Sequence, residues 1–327
     1  MNLKERYTAD EHRYDDADNM YVRCGNSGVL LPKVSLGFWH NFGGVDPYER
    51  SRAITHYAFD HGITHFDLAN NYGPPYGTAE ETMGRLMHDD FRPYRDELFI
   101  SSKAGYDMWP GPYGNWGSRK YLMASLDQSL KRMGLEYVDL FYSHRYDPVT
   151  PLEETLQASV DIVRAGKALY VGISRWPLEA LKVADKYLRE RDVPLLIYQG
   201  RLNLLDRAPQ EEGILDYCIE RGIGFISFSP LAQGLLTDKY LDTIPAGSRM
   251  SRKSSLTPDR LTPELHEKLQ AWNAVAIERG ETLAEMSLAW VLAQKGITSV
   301  LVGASSVDQL ATNIKCVNAK SFDRLVL

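Results

Sequence analysis

The sequence predicts an α/β fold, a single (β/α)8 TIM barrel with an N-terminal β-hairpin and a long loop after the seventh barrel strand. Eight short apolar segments alternate with longer amphipathic segments, as is typical of parallel strands covered by helices. A chain of 327 residues often holds about two domains, but single barrels also reach this length. No linker rich in proline and serine divides the chain, which favours one barrel over two domains.

The N-terminal segment is expected to precede the barrel. Residues 1–20 are polar and mixed in charge, and we expect a flexible or loosely docked arm before a single domain over residues 21–327. Two apolar runs flank Gly25-Asn-Ser-Gly28, so residues 20–32 are predicted to form a β-hairpin. The barrel strands are then predicted at Val34–Gly37, His65–Leu68, Leu98–Lys103, Val138–His144, Ala168–Ser174, Leu195–Gln199, Gly224–Ser229 and Ile297–Gly303.

Helices are predicted between these strands from capping residues and apolar spacing. Asp46 is expected to cap a helix that ends near Gly62, and Thr78 and Glu81 resemble a capping box. The segment Ser118–Met133 has apolar residues at a helical period and is followed by Gly134. Further helices are predicted to begin at Thr150 and Trp176 and to span Gln210–Arg221 and Thr282–Lys295. The polar segment 231–261 breaks this alternation, and long loops in compact domains are usually functional or disordered.

Composition excludes several classes of protein. The chain has 43 acidic and 37 basic residues, and a net charge of −6 disfavours non-specific nucleic-acid binding. The three cysteines are far apart, which argues against a disulfide framework and a structural zinc site. No signal core or membrane-spanning run of about 18 to 20 apolar residues is present. We expect a cytoplasmic protein with no metal, nucleic-acid or membrane partner.

Ionisable residues follow three predicted strands at the end where barrels carry their active sites. Asp67, Lys103 and His144 terminate apolar runs, and Tyr72 follows the second strand. Each could simply be the first solvated residue after its strand. Four such groups at one barrel mouth, however, indicate a catalytic site. We expect Asp67 to hold Lys103, and Lys103 to lower the pKa of Tyr72. Tyr72 would then protonate a carbonyl oxygen oriented by His144 while a cofactor delivers hydride.

The cofactor site is predicted in the loops after strands seven and eight. The chain has neither a G-x-G-x-x-G motif after a strand nor a P-loop, whereas barrels often bind phosphate in these two loops. They are the segments 228–235 and 303–309, and the second leads directly into a helix. Arg249, Arg252 and Lys253 suit the 2′-phosphate of NADPH, although a solvated charge run would explain them equally well.

The motifs as a set resemble the aldo-keto reductase family over roughly residues 20–318, and within it the branch related to potassium-channel β-subunits. The residues that carry the resemblance are Gly62–Gly73, Ile100–Lys103, Val138–Arg145, Val171–Arg175, Ser229–Gly234 and Ser299–Ser305. The resemblance identifies Asp67, Tyr72, Lys103 and His144 with the family's catalytic tetrad. Two departures affect the cofactor contacts: Arg175 replaces the family's usual Asn, as in the channel-subunit branch, and Thr312 stands where that branch usually has Glu.

The resemblance also implies a cofactor, which is NADPH (NADP+ when oxidised). The residues expected around it are Trp39, Ser174, Arg175, Gln199, Phe228, Ser229, Leu231, Gln233, Gly234, Lys239, Arg249, Gly303, Ser305, Gln309 and Asn313. Trp39, Tyr72, Trp109 and His144 are expected to contact the substrate, with packing on neighbouring residues as the alternative for Trp109.

The expected function is NADPH-dependent reduction of small carbonyl compounds to alcohols, and the resemblance implies aldehydes such as L-glyceraldehyde 3-phosphate or methylglyoxal as substrates. A nucleotide-sensing subunit of the channel type is the first alternative, and His144 argues against it because that branch carries Asn at the matching place. An aldolase or isomerase that uses Lys103 as a Schiff-base amine is a weaker alternative, since it would not need the cationic loop. The resemblance further implies a homo-oligomer, a tetramer or larger.

Overall fold

Eight parallel strands close into a barrel in the computed structural model, which describes residues 7–251 and 255–322. The strands follow one another in chain order around the barrel, and the last strand pairs with the first. The predicted (β/α)8 barrel is confirmed, and the predicted strand ends lie within two residues of the observed ones. The strands are β1 (Tyr21–Arg23), β2 (Leu30–Pro32), β3 (Val34–Gly37), β4 (His65–Asp67), β5 (Phe99–Ala104), β6 (Val138–Ser143), β7 (Ala168–Ser174), β8 (Leu195–Arg201), β9 (Gly224–Phe228) and β10 (Ile297–Val302).

Helices cover the outside of the barrel. They are α1 (Ala17–Met20), α2 (Tyr48–Asp60), α3 (Thr78–Leu86), α4 (Arg119–Met133), α5 (Leu152–Arg164), α6 (Leu178–Arg189), α7 (Ala208–Glu211), α8 (Ile214–Arg221), α9 (Pro263–Arg279), α10 (Leu283–Leu292) and α11 (Val307–Ile314). In α4, Leu122, Leu126 and Leu130 are buried at helical spacing, while Asp127 and Gln128 face water. Such one-sided burial is what fixes a helix against a sheet.

Helix boundaries follow from local capping contacts. The hydroxyl of Ser118 accepts a hydrogen bond from the backbone N of Tyr121, and α4 ends at Gly134 with φ 64°, as predicted. The cap expected at Asp46 is wrong. The Asp46 carboxylate accepts a hydrogen bond from Arg50 instead, and Pro47 is the residue that precedes α2.

The capping box expected at the start of α3 is also wrong. Thr78 Oγ1 donates to the carbonyl of Pro75 at 2.7 Å and accepts from the backbone N of Gly44 at 2.9 Å, so it ties two loops together. A complete capping box begins α10 instead, where Thr282 and Glu285 exchange side chain–backbone hydrogen bonds.

Two helical regions differ from the prediction. The helix predicted over Gln210–Arg221 is divided into α7 and α8 at Gly213, which has φ 75°. Helix α9 has no counterpart in the prediction. Among its 17 residues only Leu269 and Ala276 are buried, so it lacks a clear apolar stripe in the sequence.

The long segment after β9 carries a small hydrophobic cluster of its own. The side chains of Leu235, Tyr240, Met250 and Leu256 are buried together, and short 3-10 turns lie at Ala232–Gly234, Asp238–Tyr240 and Pro258–Arg260. Hydrophobic burial therefore fixes the described part of this segment, 231–251 and 255–261, against the barrel.

The predicted hairpin, formed by β1 and β2, covers the end of the barrel where the strands begin. Cys24 and Leu31 are fully buried against interior side chains of the barrel. The turn lies directly on the segment before β9, where Asn26 N donates to the carbonyl of Gly222 at 2.9 Å. Gly25 has φ 53°, and a Cβ there would lie 2.1 Å from the same carbonyl oxygen. The barrel is thus closed at this end.

The described part of the N-terminal arm, residues 7–20, lies against the helical layer. Tyr7 donates a hydrogen bond to Asp60 at 2.6 Å and stacks on His56 with ring centroids 3.8 Å apart. Arg13 Nη2 donates to Glu97 at 2.7 Å. The expectation of a loosely docked arm is therefore wrong for residues 7–20, because aromatic stacking and an ion pair attach them; residues 1–6 lie outside the described part.

Candidate active site

The ionisable residues predicted at the barrel mouth lie together. Asp67 ends β4, Lys103 lies on β5, and both are fully buried. Lys103 Nζ donates to Asp67 Oδ2 at 2.5 Å and to the carbonyl of Leu68 at 2.7 Å, and it lies 3.3 Å from the Tyr72 hydroxyl. A buried ion pair therefore places its ammonium group directly beside a phenol.

The Tyr72 hydroxyl is protonated at neutral pH. Burial raises the pKa of Tyr72 well above its usual value, and the negative charge of Asp67 raises it further. The expected lowering of this pKa is therefore wrong, because burial and the negative charge of Asp67 outweigh the effect of the Lys103 ammonium group. A protonated phenol is the form that a proton donor requires.

His144 completes the group and is uncharged. It follows β6, is 9% exposed, and presents its ring edge-on to Tyr72 with centroids 5.8 Å apart. Burial lowers the pKa of His144 well below 6.5, and the charges of Lys103, Arg175 and Arg145 lower it further. Its Nδ1 atom has no hydrogen-bond partner within the described ranges. A neutral imidazole can donate one hydrogen bond to a substrate oxygen.

Two arginines border His144. The guanidinium of Arg145 donates from Nε to the carbonyl of Gly105 at 2.7 Å and lies 3.6 Å from the ring centroid of Trp116. Arg175 is exposed and has φ 60°. Neither arginine is ion-paired with a carboxylate among the residues that the structure describes. The barrel mouth therefore carries two guanidinium groups that form no ion pair with a carboxylate of the described residues.

The residues predicted to hold the cofactor lie at the same end of the barrel. Those at strand ends are Ser174 on β7, Gln199 on β8, Phe228 on β9 and Gly303 after β10. The loops and turns that follow other strands carry Trp39, Arg175, Ser229, Leu231, Gln233, Gly234, Lys239 and Arg249. The loop and helix after β10 carry Ser305, Gln309 and Asn313. The guanidinium carbon of Arg249 lies 5.9 Å from the ring centroid of Trp39, so the loops after β9 and β3 meet. Arg252 and Lys253 lie outside the described residues.

Three features of this region fit a dinucleotide. Asn313 Nδ2 and Gln233 Oε1 are buried polar atoms without a hydrogen-bond partner in the described part of the chain. A buried polar group left unpaired costs about 1–3 kcal/mol, which a ligand that bonds it would recover. A Cβ at Gly303 would meet only the carbonyl oxygen of Gly37, at 3.9 Å, so there is room for close approach to the backbone.

Two predicted site residues make contacts within the protein. Gln199 is 2% exposed, and its Nε2 donates to Asp67 Oδ1 at 3.2 Å. Trp109 lies against Tyr121 with ring centroids 5.1 Å apart, which is the packing alternative left open by the sequence. Their contacts with cofactor and substrate stay predictions.

Sequence reasoning missed two polar residues behind the site. His65 and Ser101 are fully buried, and Ser101 Oγ donates to Asp67 Oδ1 at 2.7 Å. They precede Asp67 and Lys103 by two positions each. Because strand side chains alternate, this spacing of two was the signal that all four share the interior of the barrel.

The described ranges contain neither a candidate metal site nor a candidate membrane-spanning helix. No group of three or more His, Cys, Asp and Glu side chains within residues 7–251 and 255–322 is placed to hold a metal ion. No helix in these ranges combines the length and apolar character needed to cross a bilayer.

Comparison with known proteins agrees with this geometry. The model of the Aldo/keto reductase family matches residues 33–325. L-glyceraldehyde 3-phosphate reductase of Escherichia coli (strain K12) is 55% identical over 322 residues, which cover 97% of this chain and 90% of that protein. Proteins named "Probable voltage-gated potassium channel subunit beta" from Arabidopsis thaliana and Oryza sativa subsp. japonica are each 33% identical over 305 residues, with 91% of both chains covered.

Proposed function

Because this chain belongs to the aldo/keto reductase family, we propose that it reduces small aldehydes to alcohols with NADPH and that Tyr72 is the proton donor. The position of Lys103 Nζ carries the proposal. It lies 2.5 Å from Asp67 Oδ2 and 3.3 Å from the Tyr72 hydroxyl at the barrel mouth. This arrangement supplies a proton together with a positive charge that stabilises the phenolate left behind.

The cofactor would be held by the loops after β9 and β10. NADPH supplies the hydride when it is bound. Asn313 Nδ2 and Gln233 Oε1, which have no hydrogen-bond partner among the described residues, could hydrogen-bond to the cofactor. Gly303 leaves room for the cofactor to approach the backbone closely. Arg249 supports the choice of NADPH because a guanidinium binds a phosphate through paired hydrogen bonds.

The chain's own residues would position the substrate and move the proton. His144 donates a hydrogen bond to the carbonyl oxygen and so fixes it near the Tyr72 hydroxyl. Tyr72 transfers its proton to that oxygen as negative charge develops there. Lys103 stabilises the phenolate, and Asp67 keeps Lys103 in place throughout.

We propose a small phosphorylated aldehyde, L-glyceraldehyde 3-phosphate, as the main substrate, with methylglyoxal as a second. The name of the Escherichia coli relative supports the first, as does the unbalanced positive charge of Arg145 and Arg175 beside His144. A cationic mouth attracts and orients an anionic substrate.

Two further parts of the proposal concern the molecule in the cell. We propose a homo-oligomer, a tetramer or larger, and a cytoplasmic location; the first is tested by light scattering of the purified protein. The family resemblance of the sequence supports the first, and the three widely separated cysteines, which suit a reducing compartment, support the second.

The test is NADPH oxidation by the purified protein with L-glyceraldehyde 3-phosphate and with methylglyoxal. Tyr72→Phe should lower kcat by about 10²- to 10⁴-fold, because the proton donor is lost, while NADPH binding is retained. Tyr113→Phe is the matched control, since it removes an exposed tyrosine hydroxyl and should leave kcat unchanged.

The possible outcomes separate the alternatives. Tight NADPH binding without turnover of either aldehyde would favour a nucleotide-sensing subunit; the 33% identical relatives are named as probable channel subunits. Full activity in Tyr72→Phe would remove Tyr72 from the chemistry. A Schiff-base role for Lys103 is disfavoured because its amine is fully buried and ion-paired.

A further inference from the structure

A row of hydrogen bonds runs through the interior of the barrel and ends at Asp67. Ser299 Oγ lies 2.7 Å from Ser35 Oγ, which lies 2.8 Å from His65 Nδ1. On the other side of the ring, His65 Nε2 lies 3.0 Å from Ser101 Oγ, which donates to Asp67 Oδ1 at 2.7 Å. All five residues are fully buried. They come from four different strands, β10, β3, β4 and β5.

The chemistry of these groups fixes the direction of every bond. An ionised carboxylate only accepts, so Ser101 uses its one proton on Asp67 and must accept from His65 Nε2. A neutral imidazole has one N–H, so Nδ1 must accept from Ser35. Ser35 in turn accepts from Ser299. Every hydroxyl and N–H in the row therefore points towards Asp67, and His65 is the Nε2–H tautomer.

Such an alignment stabilises a buried negative charge. Each donor polarises the next in a medium of low dielectric constant, so the hydrogen bond that reaches Asp67 is strengthened. The carboxylate has Lys103 as its ion-pair partner, while Gln199 and Ser101 donate to its other oxygen. The row therefore acts on the same carboxylate that holds the ammonium group beside Tyr72.

We propose that His65 is a positioning residue: through Ser101 it stabilises the Asp67 carboxylate in its ion pair with Lys103, so that the ammonium group stays beside the Tyr72 hydroxyl. The inference rests on the proposed role of Tyr72 in proton transfer.

The surroundings of His65 suit this role. Burial lowers its pKa to about 4, with Asp67 opposing and Lys103 adding to the shift, so the ring is neutral at working pH. The ring of Phe99 meets it edge-on with centroids 5.4 Å apart and offers no competing acceptor. Asp67 and Lys103 are the charged groups that act on it.

The first experiment compares the pH dependence of kcat in two variants that break the row at different points. His65→Leu and Ser101→Ala should each move the acidic limb of the profile upwards by about one pH unit, because the hydrogen bond from Ser101 that stabilises the Asp67–Lys103 ion pair is then weakened or lost. The double variant should show no larger shift than either single variant, since both act through one chain. His65→Gln, which keeps a donor for Ser101, should lie close to the wild type.

Ser227→Ala is the matched control. It removes a fully buried barrel serine whose hydroxyl donates to the carbonyl of Leu202, outside the row. Thermal unfolding confirms that each variant is folded, and Ser101→Ala serves alone if His65→Leu does not fold. An unchanged acidic limb in the folded variants, or an equal shift in Ser227→Ala, would overturn the inference.

A second readout does not depend on turnover. Nitrogen-15 NMR of the imidazole groups, with His65→Gln to assign the signal, should show His65 as the neutral Nε2–H tautomer at pH 6. A protonated ring or the Nδ1–H tautomer would overturn the inference. Absence of turnover in the wild type with the tautomer as expected would overturn the proposed function instead, so the two failures can be told apart.

Discussion

At the residue scale, the barrel mouth combines uncharged hydrogen-bond donors with fixed positive charge. Burial raises the pKa of Tyr72 and lowers that of His144, so both side chains are neutral at physiological pH. Arg145 and Arg175 stay charged beside them. An anionic substrate can therefore approach positive charge here without first displacing a carboxylate of the protein.

Arg145 should matter for phosphorylated substrates only. In Arg145→Gln, KM for L-glyceraldehyde 3-phosphate should rise by about 10- to 100-fold, because a hydrogen bond to a charged group is lost. KM for methylglyoxal, which has no phosphate, should stay within about twofold of the wild type under steady-state conditions. Arg92→Gln, a change at an exposed arginine of the outer layer, is the control. Equal rises in KM for both substrates would show that Arg145 supports the loop rather than the phosphate.

His65 should also contribute to acid sensitivity. Burial lowers its pKa to about 4, whereas the unfolded chain takes up this proton near pH 6.5. Between these values the unfolded state binds more protons, so the free energy of unfolding falls as the pH falls, by about 2–3 kcal/mol from this residue by pH 4.5. Above pH 6.5 its contribution is constant.

Urea unfolding of the wild type and His65→Gln at pH 7.5 and 4.5 checks this. The fall should be smaller in His65→Gln, because Gln does not titrate, whereas His40 and His144, whose pKa values burial also lowers, are present in both proteins and cancel. Identical falls in the two proteins would contradict a buried neutral His65.

The ionisable residues of the site could be predicted from the sequence. The buried residues that hydrogen-bond to them from behind could not. Asp67, Lys103 and His144 stand out because charge is costly in an apolar strand. His65 and Ser101 do not stand out, since their polarity is modest and their partners lie on other strands. Recognising them requires the side-chain alternation of two strands together with the register that pairs them.

At the element scale, whether a threonine caps a helix depends on which hydrogen-bond partners surround its hydroxyl. Thr78 and Thr282 each precede a Glu by three residues, the pattern of a capping box. The loop before α3 offers the Gly44 amide and the Pro75 carbonyl to Thr78, whereas Thr282 meets only its own helix. The sequence pattern is the same in both places, so only the tertiary contacts decide.

The capping box of α10 gives a prediction about stability. Thr282→Ala should lower the free energy of unfolding by about 1 kcal/mol, because the hydroxyl that accepts a hydrogen bond from the backbone N of Glu285 is lost. Chemical denaturation measures the change, with Thr243→Ala in an exposed loop as the control. A loss in Thr282→Ala no greater than in the control would mean that the cap contributes nothing.

Strands were easier to predict than helices for a physical reason. Parallel strands buried on both faces, such as β6, appear as short and mostly apolar runs; in β6 Asp139 is the one charged residue, and the run ends at Ser143. Helix α9 is largely exposed and lacks such a mark. The break at Gly213 could not be distinguished from a glycine tolerated within a helix.

At the scale of the whole molecule, the hairpin makes the barrel open at one end only. Cys24 and Leu31 are buried against the interior residues, and the turn lies on the Gly222 carbonyl. The buried hydrogen-bond row thus lies between a closed end and the active-site mouth. Water exclusion from the interior depends on this local structure.

Gly25 should be the sensitive position of the hairpin. Gly25→Ala should lower the free energy of unfolding by at least about 2 kcal/mol, because φ is 53° and the new Cβ would lie 2.1 Å from the Gly222 oxygen. Gly28→Ala in the same turn meets no atom within 4 Å and should be close to neutral. Thermal and urea unfolding compare the two, and an equal loss of stability in both would show that the turn adjusts freely.

The pairing of β10 with β3 also determines when the molecule can be completed during translation. Val300 pairs with Val34, so β3 emerges from the ribosome about 270 residues before its neighbour is made. At a translation rate of about 5–20 residues per second, the hydrogen-bonding edge of β3 stays unpaired with β10 for tens of seconds. A chaperone that shields such an edge would therefore act early in synthesis, and ring closure would come only as the last strand leaves the exit tunnel.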